Sequence, residues 1–432
     1  MVRIGLMASH QTMLDRRTFL AEMGGLTLAS AWPAAVSAQG RSMLTARVDR
    51  LNLRTDGSAT EVWSFQTPTL QLQRGEGDEI EVRNELPAGL FLDWRGFDGA
   101  PTLEPLLATR ATTPGSTSRF RMVARHAGTF LCSLATTGAT PAARTLPVIV
   151  AEREPIAVDR EEILLIEEWR LRSDGSAIEA GADSEKIPPI YTINGKSLFD
   201  IDARKFDRLR LRLINGCQRT VIAVKFDAVE LRVMAMDGQP AEPFPARNGA
   251  VVLPPGGRID AFVDAAAPSS ILLHDGKEAR AVGKLALSAD APIRNAPLPP
   301  APPLPSNSLP ERLELKGAQR FELGLQGAQW VSPASFTASA SPAFRVKPGR
   351  VVVLALNNRA GLTTVFHLHG HHFRLLDRLD DGWKPYWLDT LALQPGETQR
   401  IAFLAEYGGR YLLESTATDW AAPKLVRWYA VE

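Results

Sequence analysis

Cysteine is almost missing from this 432-residue chain: only Cys132 and Cys217 occur, far apart in sequence. Two thiols make no disulfide framework, and both are expected to be free and buried. Histidine is also scarce, with seven in all. No apolar run approaches the roughly 20 residues a membrane-spanning helix needs, so no transmembrane segment is expected in the mature chain. Neither sign of charge dominates: 49 Lys and Arg face 48 Asp and Glu, for a net charge of +1. Without a basic run, a nucleic-acid partner is excluded. Also absent are a Gly-x-Ser-x-Gly elbow, a phosphate loop and a Gly-x-Gly-x-x-Gly turn, which removes the commonest hydrolase and nucleotide-binding classes. Asp380-Asp381-Gly382 reads as a turn and falls short of a calcium loop.

What is present begins with an address. Asp15-Arg16-Arg17-Thr18-Phe19-Leu20 is a twin-arginine signature, followed by an apolar stretch from Met23 to Trp32 and small residues at Val36-Ser37-Ala38. Residues 1–38 are therefore expected to be a twin-arginine signal peptide, with the start at Met1 or at Met13, and the mature protein is expected in the periplasm. Its removal leaves 46 cationic and 46 anionic side chains.

The remainder repeats. Pro114-Gly115, Pro255-Gly256 and Pro395-Gly396 are spaced by 141 and 140 residues. Each is followed by an alternating segment (Phe120–Val123, Ile259–Val263, Ile401–Leu404) and then by a second strand predicted to end at Ser133, His274 or Glu414. Upstream, each unit has a strand running into an asparagine: Asn84, Asn215 or Asn357. Alternation with period 2, bounded by Pro, Gly and Asn, predicts half-buried antiparallel strands, with the Asn bonding its own turn backbone. Three such units predict an all-β chain of three Greek-key sandwiches. They are placed at 42–152, 153–291 and 311–432, with a proline-rich connector at 292–310 that packs over a surface. Helix signals are weak, and Asp200–Ala203 is read as a single helical turn.

One stretch carries the most information. Residues 364–373 read Thr-Val-Phe-His-Leu-His-Gly-His-His-Phe, which resembles the His-Pro-x-His-Leu-His-Gly-His-x-Phe copper strand of multicopper oxidases. Asp93-Trp94-Arg95-Gly96 resembles the family's His-Trp-His-Gly. Gly128-Thr129 followed by Ser133 and Ala135 resembles its second copper strand, and Glu414-Ser415-Thr416 with Trp420 and Leu425 its last. Gly77-Asp78, Asn84-x-Leu86, Asn194-Gly195, Asp237-Gly238 and Leu388-Asp389-Thr390 resemble further landmarks. The resemblance covers the mature chain and implies three tandem cupredoxin-like domains.

It also implies where copper ligands would stand. Those positions hold Asp93, Arg95, Ser133, Ala135, Thr364, Glu414, Ser415, Thr416 and Trp420; only His367 and His369 keep cluster imidazoles. The family's blue site takes a thiolate and two imidazoles, and its cluster takes eight imidazoles, more than this chain has histidines. Oxidase activity is therefore not expected, and no cofactor is expected. Two readings of the remnant stay open. In one, Arg95 pairs with Glu414, and Asp93 accepts a hydrogen bond from His367 or His369. In the other, His367 and His369 with Asp93 or Glu414, one carboxylate or both, hold one copper or other divalent ion. Strand alternation puts His367, His369 and His371 on one face and His372 on the other. His371 and His372 are read as residues that back the ligand positions or lie at the surface, and His126 and His274, which have no partner in sequence, as ordinary sandwich residues. Within the family, the pattern resembles a copper-free, exported branch associated with cell division. This implies a periplasmic scaffold whose partners are proteins, with the division machinery as a candidate; a metal-using oxidoreductase or copper-handling protein is the alternative, and a small-molecule binder using the emptied cavity is a third.

Overall fold

The computed structural model describes residues 41–432 apart from 55–56, 76, 139–140, 185–186 and 378–381. The twin-arginine segment and the Asp380-Asp381 turn lie outside the described residues. Among those described there is no α-helix, only three short 3-10 turns, and none is long and apolar enough to cross a membrane. Six sheets fall into three pairs, over residues 41–151, 160–287 and 319–431. Each pair encloses its own apolar core, as in a cupredoxin sandwich.

The repeat is explained by one pairing pattern used three times. The Asn-ended strands Gly77–Asn84, Arg208–Asn215 and Arg350–Asn357 each pair antiparallel with the strand that follows a Pro-Gly. On its other edge each pairs parallel with the unit's first strand. The sheets are therefore mixed, not purely antiparallel as the alternation predicted, because side-chain period carries no information about strand direction. The glycines of the three Pro-Gly turns have φ of 74°, 81° and 75°, the left-handed conformation that glycine alone adopts without strain. Their amides bond back to the carbonyls of Asn84, Asn215 and Asn358.

The third asparagine is thus Asn358, one residue beyond the expected Asn357. Asn84, Asn215 and Asn358 donate from Nδ2 to two or three loop carbonyls and accept the amide two residues ahead. Asn357 instead accepts from Thr398 Oγ1. The expected strand ends also move: Ser133 and Glu414 lie inside Gly128–Ala135 and Gly409–Ala417, while His274 does end its strand. Asp200–Ala203 is no turn, since Ile201–Ala203 pairs in parallel with Leu285–Leu287.

One strand departs from the half-buried expectation completely. Arg208–Asn215 alternates Arg and Leu yet is buried at every position. Its outer face meets the first sandwich and carries its own counter-charges. Arg210, 0% exposed, pairs with Asp260 at 2.6 Å and Glu152 at 2.7 Å. Arg212 pairs with Glu161 at 2.8 Å and donates to Thr129 Oγ1 at 2.8 Å. Buried arginines persist only with such partners. Within residues 292–310, Leu304 packs against Met234 and Phe262, while Asn307 bonds the main chain of Ala127 and Gly238.

Candidate functional site

Sheet register assembles the site. In the first sandwich Phe91–Arg95 pairs with Gly128–Ala135, which sets Asp93 opposite Ser133. In the third, Thr364–Leu368 pairs with Gly409–Ala417, which sets His367 opposite Glu414. The two pairs of strands approach each other, and a cavity of about 450 Å³ opens among all three sandwiches. Asp93, Arg95, Ser133, Ala135, His367, Glu414 and Thr416 line it, as the resemblance implied; His369 stands behind them. Where imidazoles would fill this space, Ser133, Ala135 and Thr416 are small.

Glu414 is the hub. It is buried and pairs with Arg95, with Lys424 Nζ at 2.5 Å and with His369 Nε2 at 3.3 Å. Asp93 lies 2.9 Å from Lys424 Nζ and 3.6 Å from Arg95. The expected hydrogen bond from histidine to Asp93 is not made: His369 Nε2 stays 3.8 Å away and His367 turns elsewhere. Lys424 takes that role because it neighbours Thr416 in the last hairpin. On the far side, His369 Nδ1 faces Glu104 Oε2 at 3.2 Å. Three carboxylates thus surround two cations and one imidazole. Burial opposes charge on His369, but Glu104 and Glu414 outweigh it and raise its pKa to about 10. Burial likewise opposes ionisation of Glu414, yet Arg95, Lys424 and His369 hold its carboxyl well below the usual range. Asp93 is also lowered, burial and Glu414 being outweighed by Lys424, Arg95 and His369.

His367 belongs to a second, adjacent network. Its Nδ1 lies 3.0 Å from the Asp389 carbonyl and 2.9 Å from Thr390 Oγ1. Burial, helped by Arg95, pushes it down to about 4, so it is neutral. Asp389 also receives both Nη atoms of Arg258, at 2.9 and 2.6 Å. Asp237 accepts the amides of Arg258, Asp389 and Thr390. The landmarks Asp237-Gly238 and Leu388-Asp389-Thr390 thus meet at one arginine.

The remaining histidines do not follow the alternation. The strand ends at Leu368, and Gly370, at φ 75°, turns the chain away; a Cβ there would lie 2.2 Å from the Tyr411 ring. His371 leaves the expected face and packs among Tyr411, Tyr429 and Phe403, 2.7 Å from the Tyr429 hydroxyl. His372 lies between Asp98 at 2.9 Å and the Asp237 carbonyl at 2.8 Å. Both are fully enclosed, so neither is a surface residue. The fold gives His126 the partners that its sequence neighbourhood lacks, Gln239 at 2.8 Å and Asp98 at 3.7 Å. His274 is exposed and accepts the Gly276 amide. Burial opposes charge on His372, but Asp98 raises it to about 9; burial pushes His126 and His371 down to about 4.

These shifts predict a stability optimum near pH 6.5–7. His126, His367 and His371 titrate near 4 when folded and near 6.5 when unfolded, so acidification protonates the unfolded chain first. Their stabilisation is complete above about 6.5 and falls away toward 4, by roughly 3 kcal/mol for each group. His369 and His372 act oppositely: their contribution is complete below about 6.5 and is lost as pH rises through 9 and 10. Urea midpoints measured from pH 4 to 10 are expected to trace a bell; a flat profile would contradict these assignments.

With the geometry in place, comparison decides the lineage. Residues 161–272 and 308–432 match two family models, each described as multicopper oxidase. The chain belongs to the multicopper oxidase superfamily. A curated relative, multicopper oxidase MmcO of Mycobacterium tuberculosis (strain ATCC 25618 / H37Rv), is 24% identical over 453 residues, covering 90% of this chain and 87% of that protein. A solved structure of a multi-copper oxidase from Pseudomonas thermotolerans is 22% identical with a TM-score of 0.76, covering 91% and 99% of the two chains. Lac15 from a marine microbial metagenome is 23% identical with a TM-score of 0.75, covering 90% and 100%.

In this superfamily member, among the described residues, two trios of side chains each bring ligand atoms within 4.8 Å of one another: Asp93, His369 and Glu414, and Asp98, His126 and His372. The first contains three of the four residues expected to hold a single ion; His367 is not part of it. At the implied blue-copper positions, Thr364 Oγ1 bonds Asn358 Oδ1 at 3.2 Å and Ser415 Oγ donates to the Leu325 carbonyl at 2.6 Å. Trp420 Nε1 donates to the Glu179 carbonyl at 3.1 Å. Both cysteines are free and buried, and burial raises both thiols well above their usual range. Lys424, Glu104, Asp98 and His126 were missed as site residues. Lys424 alone had a signal, because a hairpin closing near Trp420 brings it back opposite Thr416.

Proposed function

We propose that this protein keeps the multicopper oxidase fold without the oxidase chemistry and serves as an exported, copper-free scaffold or interaction protein. The observation that carries this reading is the set of contacts around Glu414. Arg95 and Lys424 occupy the ligand space as fixed cations, and His369 carries a proton where copper needs a bare lone pair. At the blue-copper positions Thr364, Ser415 and Trp420 offer neither thiolate nor imidazole, and their polar atoms are already bonded within the fold. This donor set does not fit the family's four coppers. The N-terminal twin-arginine signature supports export to the periplasm. In signal, length and domain count the sequence resembles the copper-free cell-division protein FtsP (SufI), which makes the division machinery the first partner to test.

A second reading has one observation in its favour. Among the described residues His369 Nε2 and Asp93 Oδ1 are buried without a well-formed hydrogen bond, 3.8 Å apart, and His369 Nε2 lies 3.3 Å from Glu414 Oε1. A single divalent ion there would have to displace a proton, the Arg95 guanidinium and the Lys424 ammonium, which is why it ranks second. Oxygen uptake with a phenolic substrate, after incubation with copper and desalting, separates the readings. The expected rate equals the protein-free blank; copper-dependent turnover lost on His369→Ala would overturn the first reading.

A further inference from the structure

The proline-rich connector plays no part in either ion network. Residues 297–305 read Pro-Leu-Pro-Pro-Ala-Pro-Pro-Leu-Pro, and their burial repeats every third residue. Leu298 and Ala301 are half-buried, Leu304 and Asn307 are buried, and the prolines are all exposed. The inward row is anchored at each step. The Leu298 carbonyl accepts Arg208 Nη2 at 3.1 Å, Ala301 and Leu304 pack beside Met234 and Phe262, and Asn307 bonds Ala127 and Gly238. Among the described residues no backbone–backbone hydrogen bond involves 297–305. Three residues per turn, no internal hydrogen bonds and φ fixed by proline are the marks of a polyproline II helix. Two of its three edges face water, and both are proline throughout: Pro297, Pro300 and Pro303 on one, Pro299, Pro302 and Pro305 on the other. Apart from Leu298, no main-chain carbonyl of this run accepts a hydrogen bond within the described protein. A strap needs stiffness, but it does not need two unbroken apolar rows in water. Charge gathers at one end. Arg74 Nη1 donates to the Ser306 carbonyl at 3.0 Å, and its Nε to the Arg125 carbonyl at 3.0 Å. The charge acting on Arg74 is that of Arg153, whose Nη2 lies 3.6 Å from where a Cβ at Gly75 would stand. Among the described residues neither arginine forms an ion pair with a carboxylate.

We infer that the proline ridge at 297–305 is a docking surface for a protein domain with a Trp- and Tyr-lined groove and an acidic rim. The aromatic rings cover the two proline rows, their N–H and O–H groups donate to the free carbonyls, and the rim carboxylates meet Arg74 and Arg153. Because the ridge is already rigid, little conformational entropy is lost on docking. The inference rests on the interaction half of the scaffold reading and names the surface it uses. No residue of the Glu414 network takes part, so oxygen uptake and ridge binding can fail separately.

Calorimetric titration of the mature exported protein with a panel of purified SH3 and WW domains, which read polyproline II ridges through aromatic grooves, tests it. One-to-one binding by a subset of the panel is expected. Pro299→Gln with Pro302→Gln should weaken that binding at least about tenfold. Arg153→Glu should weaken it less and flatten its salt dependence. Pro292→Gln, outside the ridge, should leave it unchanged. All these side chains are exposed, so urea midpoints should stay level and separate lost docking from lost folding. No binding by any probe, or unchanged affinity in the double variant, would overturn the inference. So would self-association that the double variant abolishes, which would give the ridge to a second copy of this chain.

Discussion

Replacing Glu414 with alanine is expected to lower the unfolding free energy by about 3–5 kcal/mol, the usual cost of removing one partner from a buried ion pair. The loss is large because buried Glu414 serves three positive groups at once, enclosed His369, mostly buried Arg95 and half-buried Lys424. The double variant Arg95→Met with Glu414→Leu is expected to lose less than Glu414→Ala alone. It removes the pair together, and what remains is matched: Lys424 keeps Asp93 at 2.9 Å and His369 keeps Glu104 at 3.2 Å. Urea unfolding of the three proteins gives the comparison. A change below about 1 kcal/mol for Glu414→Ala would mean that the network contributes no more than a surface pair.

Arg258→Ala is expected to cost a similar amount, about 3–5 kcal/mol, for a different reason. The Arg258 side chain is 0% exposed and joins the three sandwiches. It reaches the Thr129 carbonyl of the first at 3.3 Å, the Gly256 and Asp237 carbonyls of the second at 2.9 and 3.0 Å, and both oxygens of Asp389 in the third. Without it, Asp389 and Asp237 would be two buried carboxylates side by side. Already Asp237, through burial and the neighbouring Asp389, is raised to about 6 despite the arginine. Limited proteolysis of the variant should cut at the loops between sandwiches before the sheets. Unchanged urea midpoint and protease pattern would show that the sandwiches hold together without this arginine.

The fold was legible wherever the signal was local and repeated. Pro-Gly spacing and strand alternation located the three sandwiches, because each turn needs a left-handed glycine and each strand an apolar face. Strand direction was not legible, since the parallel pairing of each unit's first strand leaves no trace in side-chain period. The candidate site was half legible. Asp93, Arg95, Glu414 and His369 came from motif positions, and the pairing of Arg95 with Glu414 followed from opposite charges in one space. Glu104 lies on an irregular segment and reaches His369 only through docking of the first sandwich on the third, which no spacing encodes. His371 and His372 were misread for a single reason: Gly370 ends the strand between them and His369, and beyond it the alternation rule has no object. The burial of Arg208, Arg210 and Arg212 was hidden because their counter-charges Asp264, Asp260 and Glu161 come from neighbouring strands, with Thr129 of the first sandwich added at Arg212.

The central claim, that fixed charges occupy the place of the metal, is tested most directly by metal stoichiometry. Mature protein exported through the twin-arginine route and purified without a histidine tag would be incubated with copper or zinc, desalted and analysed for transition metals. The account predicts less than about a tenth of an equivalent, since a metal at this site would have to displace Arg95, Lys424 and a proton on His369. Close to one equivalent, lost in His369→Ala with Glu414→Ala, would contradict it and give the site back to metal chemistry.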